Sequence, residues 1–411
     1  MFLIACSAEP LLTDGPFVGH VDAQSIHVYA RAAASGSIRA ELSSANDMRQ
    51  VVQEARSDAD NMLHFDFTGL AANTKWTLRL SGGTGAQPIE RSISTPRADA
   101  KAQALAFVSC ADDLAVPRQP LWTRLGEAAI DGLVLLGDTP YINNTRLEVQ
   151  RSRRRTFHRV PELKALLQKV PVWTTWDDHD YGVNDEFGAI AGRENSRQAL
   201  LEWSALASAG ENAQGIYTSF RRGPLEVFLI DARWFADTEE DAQGRKSLLG
   251  SAQWKWLEDG LKASTAPFKI LCTGLVWNEA VRPGKKDHWM NWPHERERLW
   301  RFIGAQKISG VVLVGGDLHR CRAFEHRSEA LSGYRLPEFV SSPLAAQVIE
   351  SNGPDHRDLI FDKGLAMAGL ILRVRDDAPE VLEARFIDDK GVAFYERLMP
   401  LRSLSETAAP R

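Results

Sequence analysis

Four apolar runs in this chain end in residues that bind metals or move protons. Ala106-Phe107-Val108-Ser109 leads into Cys110, and Leu133-Val134-Leu135-Leu136-Gly137 leads into Asp138. Val172-Trp173-Thr174-Thr175-Trp176 leads into Asp177-Asp178-His179-Asp180, and Val311-Val312-Leu313-Val314-Gly315-Gly316 into Asp317-Leu318-His319. One aspartate after an apolar run is an ordinary turn residue. Runs that end in a thiol, a carboxylate, a carboxylate pair with an imidazole, and a carboxylate-x-imidazole are a different matter. Together these donors can hold two cations a few ångströms apart, one carboxylate bridging them. Without cations the carboxylates would repel one another, so the set implies bound metal. Two metals clamp a phosphoryl group and activate a water for in-line attack. Gly137, Gly315 and Gly316 are expected to let the backbone approach the ions where a Cβ would intrude.

The elements that must position these residues are short strands alternating with longer helical patterns, which predicts an α/β domain. The strands read as Leu105 to Val108, Leu133 to Leu136, Val172 to Thr175, Val227 to Ile230, Ile270 to Leu275, Val311 to Val314 and Glu338 to Val340. Helical periodicity fits Trp122 to Ala129, Arg146 to Lys169, Arg197 to Ala207, Ser251 to Leu261 and His294 to Gln306. A β-rich segment, Gly369 to Val374 and Val381 to Ile387, closes the sheet. In open α/β sheets the carboxyl ends of the strands are where ligands bind. Residues 13–97 differ: period-two runs at Ser25 to Ala30, Ile38 to Leu42, Leu63 to Phe67, Trp76 to Leu80 and Ile89 to Ser94 predict a small β-sandwich of the fibronectin type III kind. Residues 104–400 are expected to form the second domain, which carries these strand-end residues, and 401–411 a tail.

With 411 residues, 44% hydrophobic and 25% charged, the chain is folded and large enough for two or three domains. A net charge of −5 argues against coating nucleic acid, so no stable nucleic-acid complex is expected. Four cysteines without a CxxC pair exclude a disulfide scaffold; Cys272 and Cys321 read as packing. Leu3-Ile4-Ala5-Cys6 has the form of a lipoprotein cleavage box, which would make residues 1–12 a truncated signal, Cys6 a lipid anchor and the location periplasmic or extracellular. The alternative is a cytoplasmic protein that starts at Met1.

Taken together, Ser109-Cys110, the GDxxY element Gly137-Asp138-Thr139-Pro140-Tyr141, and Trp176-Asp177-Asp178-His179-Asp180 followed by Asn184-Asp185 resemble the alkaline phosphatase D (PhoD-like) family of metallophosphoesterases. Asp231-Ala232-Arg233 and Gly316-Asp317-Leu318-His319 complete the pattern, in order, between about 105 and 345. The resemblance implies a four-layer αββα sandwich that hydrolyses phosphate mono- or diesters by attack of a metal-bound hydroxide. Cys110, Asp138, Tyr141, Asp178, Asp317 and His319 would line the metal centre, with Asp138 bridging and Tyr141 bound as phenolate. His179 would be the general acid that protonates the leaving group. The family suggests ferric iron paired with calcium; zinc or manganese are the alternatives. A small phosphate ester is the implied partner, with phosphodiesterase or phospholipase D-like activity as variants. A surface-anchored binding protein that has lost activity is the competing class, and the complete ligand set argues against it.

Arg233 follows a strand near this centre and is expected to grip a phosphate oxygen in a forked geometry, with Asn184 also on the substrate. Metallophosphoesterases usually supply another histidine before the last motif. Val276-Trp277-Asn278-Glu279 offers none before His288, so Asn278 or Glu279 serves instead, or the centre has one ligand fewer. Asp180 is assigned no direct role. The run Arg151, Arg153, Arg154, Arg155 and Arg159 reads as a solvated helix face, with polyanion binding as the alternative. Trp277, Trp289, Trp292 and Trp300 read as core or lid packing, with a cleft wall as the alternative.

Overall fold

The computed structural model describes residues 10–45, 50–57, 60–82, 86–351 and 355–406; Cys6 lies outside them. Among these, the N-terminal strands are β1 (Leu12–Val21), β2 (Ile26–Ala32), β3 (Ser37–Ser43), β4 (Gln50–Arg56), β5 (Met62–Phe67), β6 (Lys75–Ser81) and β7 (Ile89–Ser94). They pair as β1-β2-β5 and β4-β3-β6-β7, both antiparallel. In β6, Trp76, Leu78 and Leu80 are buried and Lys75, Thr77 and Arg79 exposed, the alternation that one wet and one packed face requires. Those residues share a core with Val28 and Ala30 of β2 and Phe65 and Phe67 of β5, which makes the two sheets a sandwich. β1 and β4 were not among the expected strands. Thr13-Asp14-Gly15-Pro16 in β1 carries turn residues, and the pairing register shifts on both sides of them. β4 is an edge strand with no fully buried residue, so it has no apolar stripe to see.

The second domain has β8 (Gln103–Val108), β9 (Gly132–Leu135), β10 (Val172–Thr174), β11 (Thr218–Arg222), β12 (Leu225–Leu229), β13 (Phe268–Cys272) and β14 (Val311–Gly315). It continues with β15 (Cys321–His326), β16 (Leu336–Val340), β17 (Leu359–Lys363), β18 (Ala368–Arg375), β19 (Ala378–Asp388) and β20 (Ala393–Pro400). Its helices include α1 (Leu121–Glu127), α2 (Leu147–His158), α3 (Pro161–Leu167), α4 (Asp178–Tyr181), α5 (Arg193–Glu202), α6 (Gly250–Ala263) and α7 (Pro293–Ala305). One sheet runs β10-β9-β8-β18-β19-β20 and the other β11-β12-β13-β14-β16-β15-β17. β8 explains the layering. Leu105 and Phe107 join a core with Val227, Ile270 and Val312 of the other sheet, whereas Ala106 and Val108 pack with Leu121, Trp122 and Leu163 of α1 and α3. Both faces are covered, so the strand is apolar throughout. On the far side Phe228 of β12 meets Trp256 of α6, which completes a four-layer αββα sandwich.

The stretch 146–169 is two helices, not one. Pro161 has no N–H and its ring would clash with a preceding carbonyl, so α2 ends at His158 and the proline takes the first turn of α3. The helix expected at Arg197 to Ala207 begins at Arg193 and stops at Glu202. No helix among the described residues is long and apolar enough to cross a membrane.

The basic run on α2 is neither a solvated face nor a polyanion surface. Arg151 pairs with Glu202 at 2.5 Å and Arg153 with Asp113 at 2.6 Å, while Arg154 is buried. Arg155 reaches Asp60 at 2.5 Å and Arg159 reaches Asp14 at 2.7 Å, both in the sandwich domain. Arg155 and Arg159 therefore staple the two domains, while Arg151 and Arg153 pair within the second. His158 lies under the run, with its Nδ1–H donating to the Arg154 carbonyl at 2.8 Å and its Nε2 3.2 Å from the Tyr29 hydroxyl. Burial, the largest influence, pushes its pKa from 6.5 down to about 4. A lowered folded-state value means that the neutral ring's contribution is complete above about pH 6.5 and is lost as pH falls through about 4. The full difference is roughly 3 kcal/mol. Thermal melts of wild type and His158→Phe from pH 7 to 4 should therefore diverge, the wild type losing stability faster. Parallel curves would show that the acid-sensitive group lies elsewhere.

Candidate metal centre

β8, β9 and β10 are parallel neighbours in one sheet, and β14 belongs to the other. Cys110, Asp138, Asp178 and the pair Asp317 and His319 thus arrive from strand ends of both sheets at one place. The backbone there is unusual. Cys110, Asp138, Asp317 and His319 have φ of +56°, +52°, +66° and +53°, in the left-handed region that side chains with a Cβ avoid. Such residues cost of order 1–3 kcal/mol each and persist where surrounding contacts dictate them, typically at functional sites. Here the Cys110 N–H donates to the Gly137 carbonyl at 3.2 Å and the His319 N–H to Ser342 Oγ at 2.9 Å.

Cys110 Sγ lies 3.6 Å from Asp138 Oδ2, and the Tyr141 hydroxyl 2.7 Å from His319 Nε2. Ligand atoms of Asp138, Asp178 and His179 lie within 4.8 Å of one another, as do those of Asp177, Asp178 and Asp317, and those of Asp178, Asp185 and Asp287. The His179 N–H donates to Asp138 Oδ1 at 3.2 Å and to Asp178 Oδ1 at 2.9 Å. Each imidazole is held from behind: His179 Nδ1 by Asn143 Oδ1, and His319 Nδ1 by the Gln347 carbonyl at 2.6 Å. Outer partners of this kind fix a ring's orientation and leave Nε2 for the centre. A cleft of about 130 Å³ opens over them, lined by Asp138, His179, Asn184, Arg282, Lys285 and His319.

The electrostatics are those of crowded, buried acids. Burial first, then the charges of Asp178 and Cys110, push the Asp138 pKa well above the carboxylate range. Burial brings Asp317 to about 6 and the Cys110 thiol to about 12, and raises the Tyr141 phenol. Burial also lowers the His179 pKa. The donors resist becoming anionic on their own, and a cation among them would reverse that penalty. A thiol, a phenol, an imidazole and carboxylates converging in this way fit a metal.

Several expectations change. Arg233 does not face substrate: it is fully buried, its Nε donates to Asp177 Oδ1 at 2.8 Å, and its Nη2 reaches Asp287 Oδ2 at 2.9 Å. Burial opposes its charge, but Asp177 and Asp287 outweigh it and hold the pKa high. Its neighbour Asp231 anchors the loop, accepting from Trp176 Nε1 at 2.7 Å and from three backbone N–H groups. Gly137 makes room for protein and not for ions, since a Cβ there would sit 2.3 Å from the Asp177 nitrogen. Glu279 pairs with Arg296 at 3.0 Å and His356 at 3.4 Å, and buried Asn278 turns its Oδ1 to the Ala280 N–H. Asp180 caps α4 by accepting from the Asp177 N–H at 2.6 Å. Asn184 is exposed on the cleft. Trp277 stacks on Trp289 at 4.0 Å in the core, and neither lines the cleft.

Sequence reasoning missed Asn143, Lys285 and Asp287. Lys285 is buried, with Nζ 2.8 Å from Asp317 Oδ2, 2.8 Å from Asp287 Oδ1 and 3.6 Å from Asp185 Oδ1. All three missed residues sit in loops, away from the strand-end pattern. A basic-acidic Lys285-Lys286-Asp287 step between tryptophans is the signal that could have marked two of them.

The model of the PhoD-like phosphatase family matches residues 105–364. The chain belongs to this family. Alkaline phosphatase D of Bacillus subtilis (strain 168) is 25% identical over 369 residues, which are 75% of this chain and 62% of that protein. The chain therefore spans less than two thirds of that relative's length. A solved structure described as that of PhoD superposes with a TM-score of 0.72 at 19% identity, over 95% of this chain and 90% of the other. That likeness places the sandwich domain and the αββα layers of this PhoD-like chain in one known fold, and the matched segment contains every candidate ligand from Cys110 to His319.

Proposed function

We propose that this PhoD-like chain hydrolyses phosphate mono- or diesters in the cleft over Cys110, Asp138, Tyr141, Asp178, Asp317 and His319. The observation that carries the reading is the convergence of a thiol, a phenol, an imidazole and buried carboxylates beside His179. Cys110 and Tyr141 suit ferric iron, and the carboxylates suit calcium, with zinc or manganese as alternatives. When bound, the metals polarise the phosphoryl group and activate water. The chain's own residues do the rest. Asn143 Oδ1 accepts from His179 Nδ1–H, so Nε2 is the nitrogen left, and it gives a proton to the leaving oxygen when the ring is in its imidazolium form. Asn184 and Arg282 stand at the cleft wall to meet the ester. The presence of all of Cys110, Asp138, Asp178, His179, Asp317 and His319 supports an enzyme over an inactive binding protein.

Metal analysis of the purified protein, with turnover of nitrophenyl phosphate and its bis-ester, tests this. Activity on one ester and not the other decides between monoesterase and diesterase. No turnover of either with iron, calcium, zinc or manganese sinks the proposal. His179→Ala should slow turnover by about 10²–10⁴-fold with metal content nearly unchanged. Loss of metal from that variant would make His179 a ligand.

A further inference from the structure

We propose that Lys285 is a resident cation of this centre, its ammonium filling the position between Asp185, Asp287 and Asp317 that would otherwise admit a further metal ion. The inference rests on the metal-dependent reading above. Three overlapping groups of candidate ligands, all sharing Asp178, crowd this end of the sandwich, and the group Asp178, Asp185 and Asp287 includes neither the thiol nor the phenol. Lys285 Nζ touches Asp287 and Asp317 at 2.8 Å and faces Asp185 at 3.6 Å, with only 5% of its side chain exposed. The second oxygen of Asp287 is taken by Arg233 at 2.9 Å, and Arg282 pairs with Asp185 at 3.1 Å. On this side, therefore, the negative charge is matched by protein cations.

An ammonium buried this deeply is held only where anions surround it. A divalent ion bound by the same oxygens would sit a few ångströms from it, and in a partly dry site that repulsion is severe. Ammonium and metal thus exclude each other at these oxygens, and Asp317 has only its other oxygen, Oδ1, left for the metal centre. Lys285 also lines the cleft, so its charge is presented to the ester without a metal to deliver it. The long loop between β13 and α7 that carries it becomes part of the cation inventory of the site.

The test is cation stoichiometry. Wild type, Lys285→Met, Lys285→Gln and Lys285→Arg are equilibrated with calcium, or with manganese, freed of excess ions and analysed by mass spectrometry of the elements. Lys285→Met and Lys285→Gln should each carry one divalent cation per chain more than wild type, and Lys285→Arg none more. If the neutral variants fold only when calcium or manganese is supplied, the metal has replaced the ammonium and the inference holds. Unchanged stoichiometry in folded variants overturns it, as does failure to fold with either cation. A wild type that binds no metal at all defeats instead the metal-dependent reading on which the inference stands.

Discussion

Asp138→Asn should lower ester turnover by at least about a thousandfold, a loss of roughly 4 kcal/mol of transition-state stabilisation. Asp138 is 1% exposed, and its two oxygens have different neighbours: Oδ2 lies 3.6 Å from Cys110 Sγ and Oδ1 accepts from the His179 N–H at 3.2 Å. An asparagine retains the second contact through its carbonyl and has nearly the same volume, so the strand end and the His179 backbone stay in place. Only the charge is lost. In the metal-free protein that charge is unfavourable, since burial and the charges of Asp178 and Cys110 push the carboxyl well above its usual pKa. The metal-free variant should therefore melt at or above the temperature of metal-free wild type. Added metal should raise the wild-type melting temperature and leave the variant nearly unmoved, because a ligand stabilises only as far as it binds the folded state. A variant that keeps its metal and loses less than tenfold in rate would remove Asp138 from the centre.

The fold was legible where burial imposes a pattern. β8 is covered on both faces and is apolar at Leu105, Ala106, Phe107 and Val108; β6 is covered on one and alternates. β4, with no buried position, left no trace in hydrophobicity. The site divides in the same way. Cys110, Asp138, Asp178, Asp317 and His319 were legible because strands deliver them at fixed ends, where a polar residue stands out against the apolar run before it. Tyr141 and His179 came with the motifs. Arg233 was misread because a strand end tells where a residue starts, not where a long side chain goes: its guanidinium turns inward to Asp177 and Asp287. Asn143 and Lys285 were invisible because their positions depend on how loops close over the centre, which no local period records.

The fate of Arg233 separates a structural arginine from a substrate-binding one. Arg233→Met should cost about 3–5 kcal/mol of stability, because removing one partner leaves buried carboxylates without their counter-charge. Asp177 would retain its cap on α4 but lose the guanidinium at Oδ1, and Asp287 would keep only Lys285. Arg233→Lys should recover part of the loss and not all, since an ammonium cannot span both carboxylates in the planar fork that Arg233 presents. Asp177→Asn in the Arg233→Met background should restore stability relative to Arg233→Met, which makes the double variant less destabilised than the sum of the singles. Denaturation midpoints in urea measure all of these. A phosphate-gripping arginine would behave in the opposite way: its loss would raise KM and leave the midpoint where it was. The buried guanidinium, fully paired, predicts a fallen midpoint, and it ties the loop after β12 to the β10 end that carries Asp178 and presents His179 to the cleft.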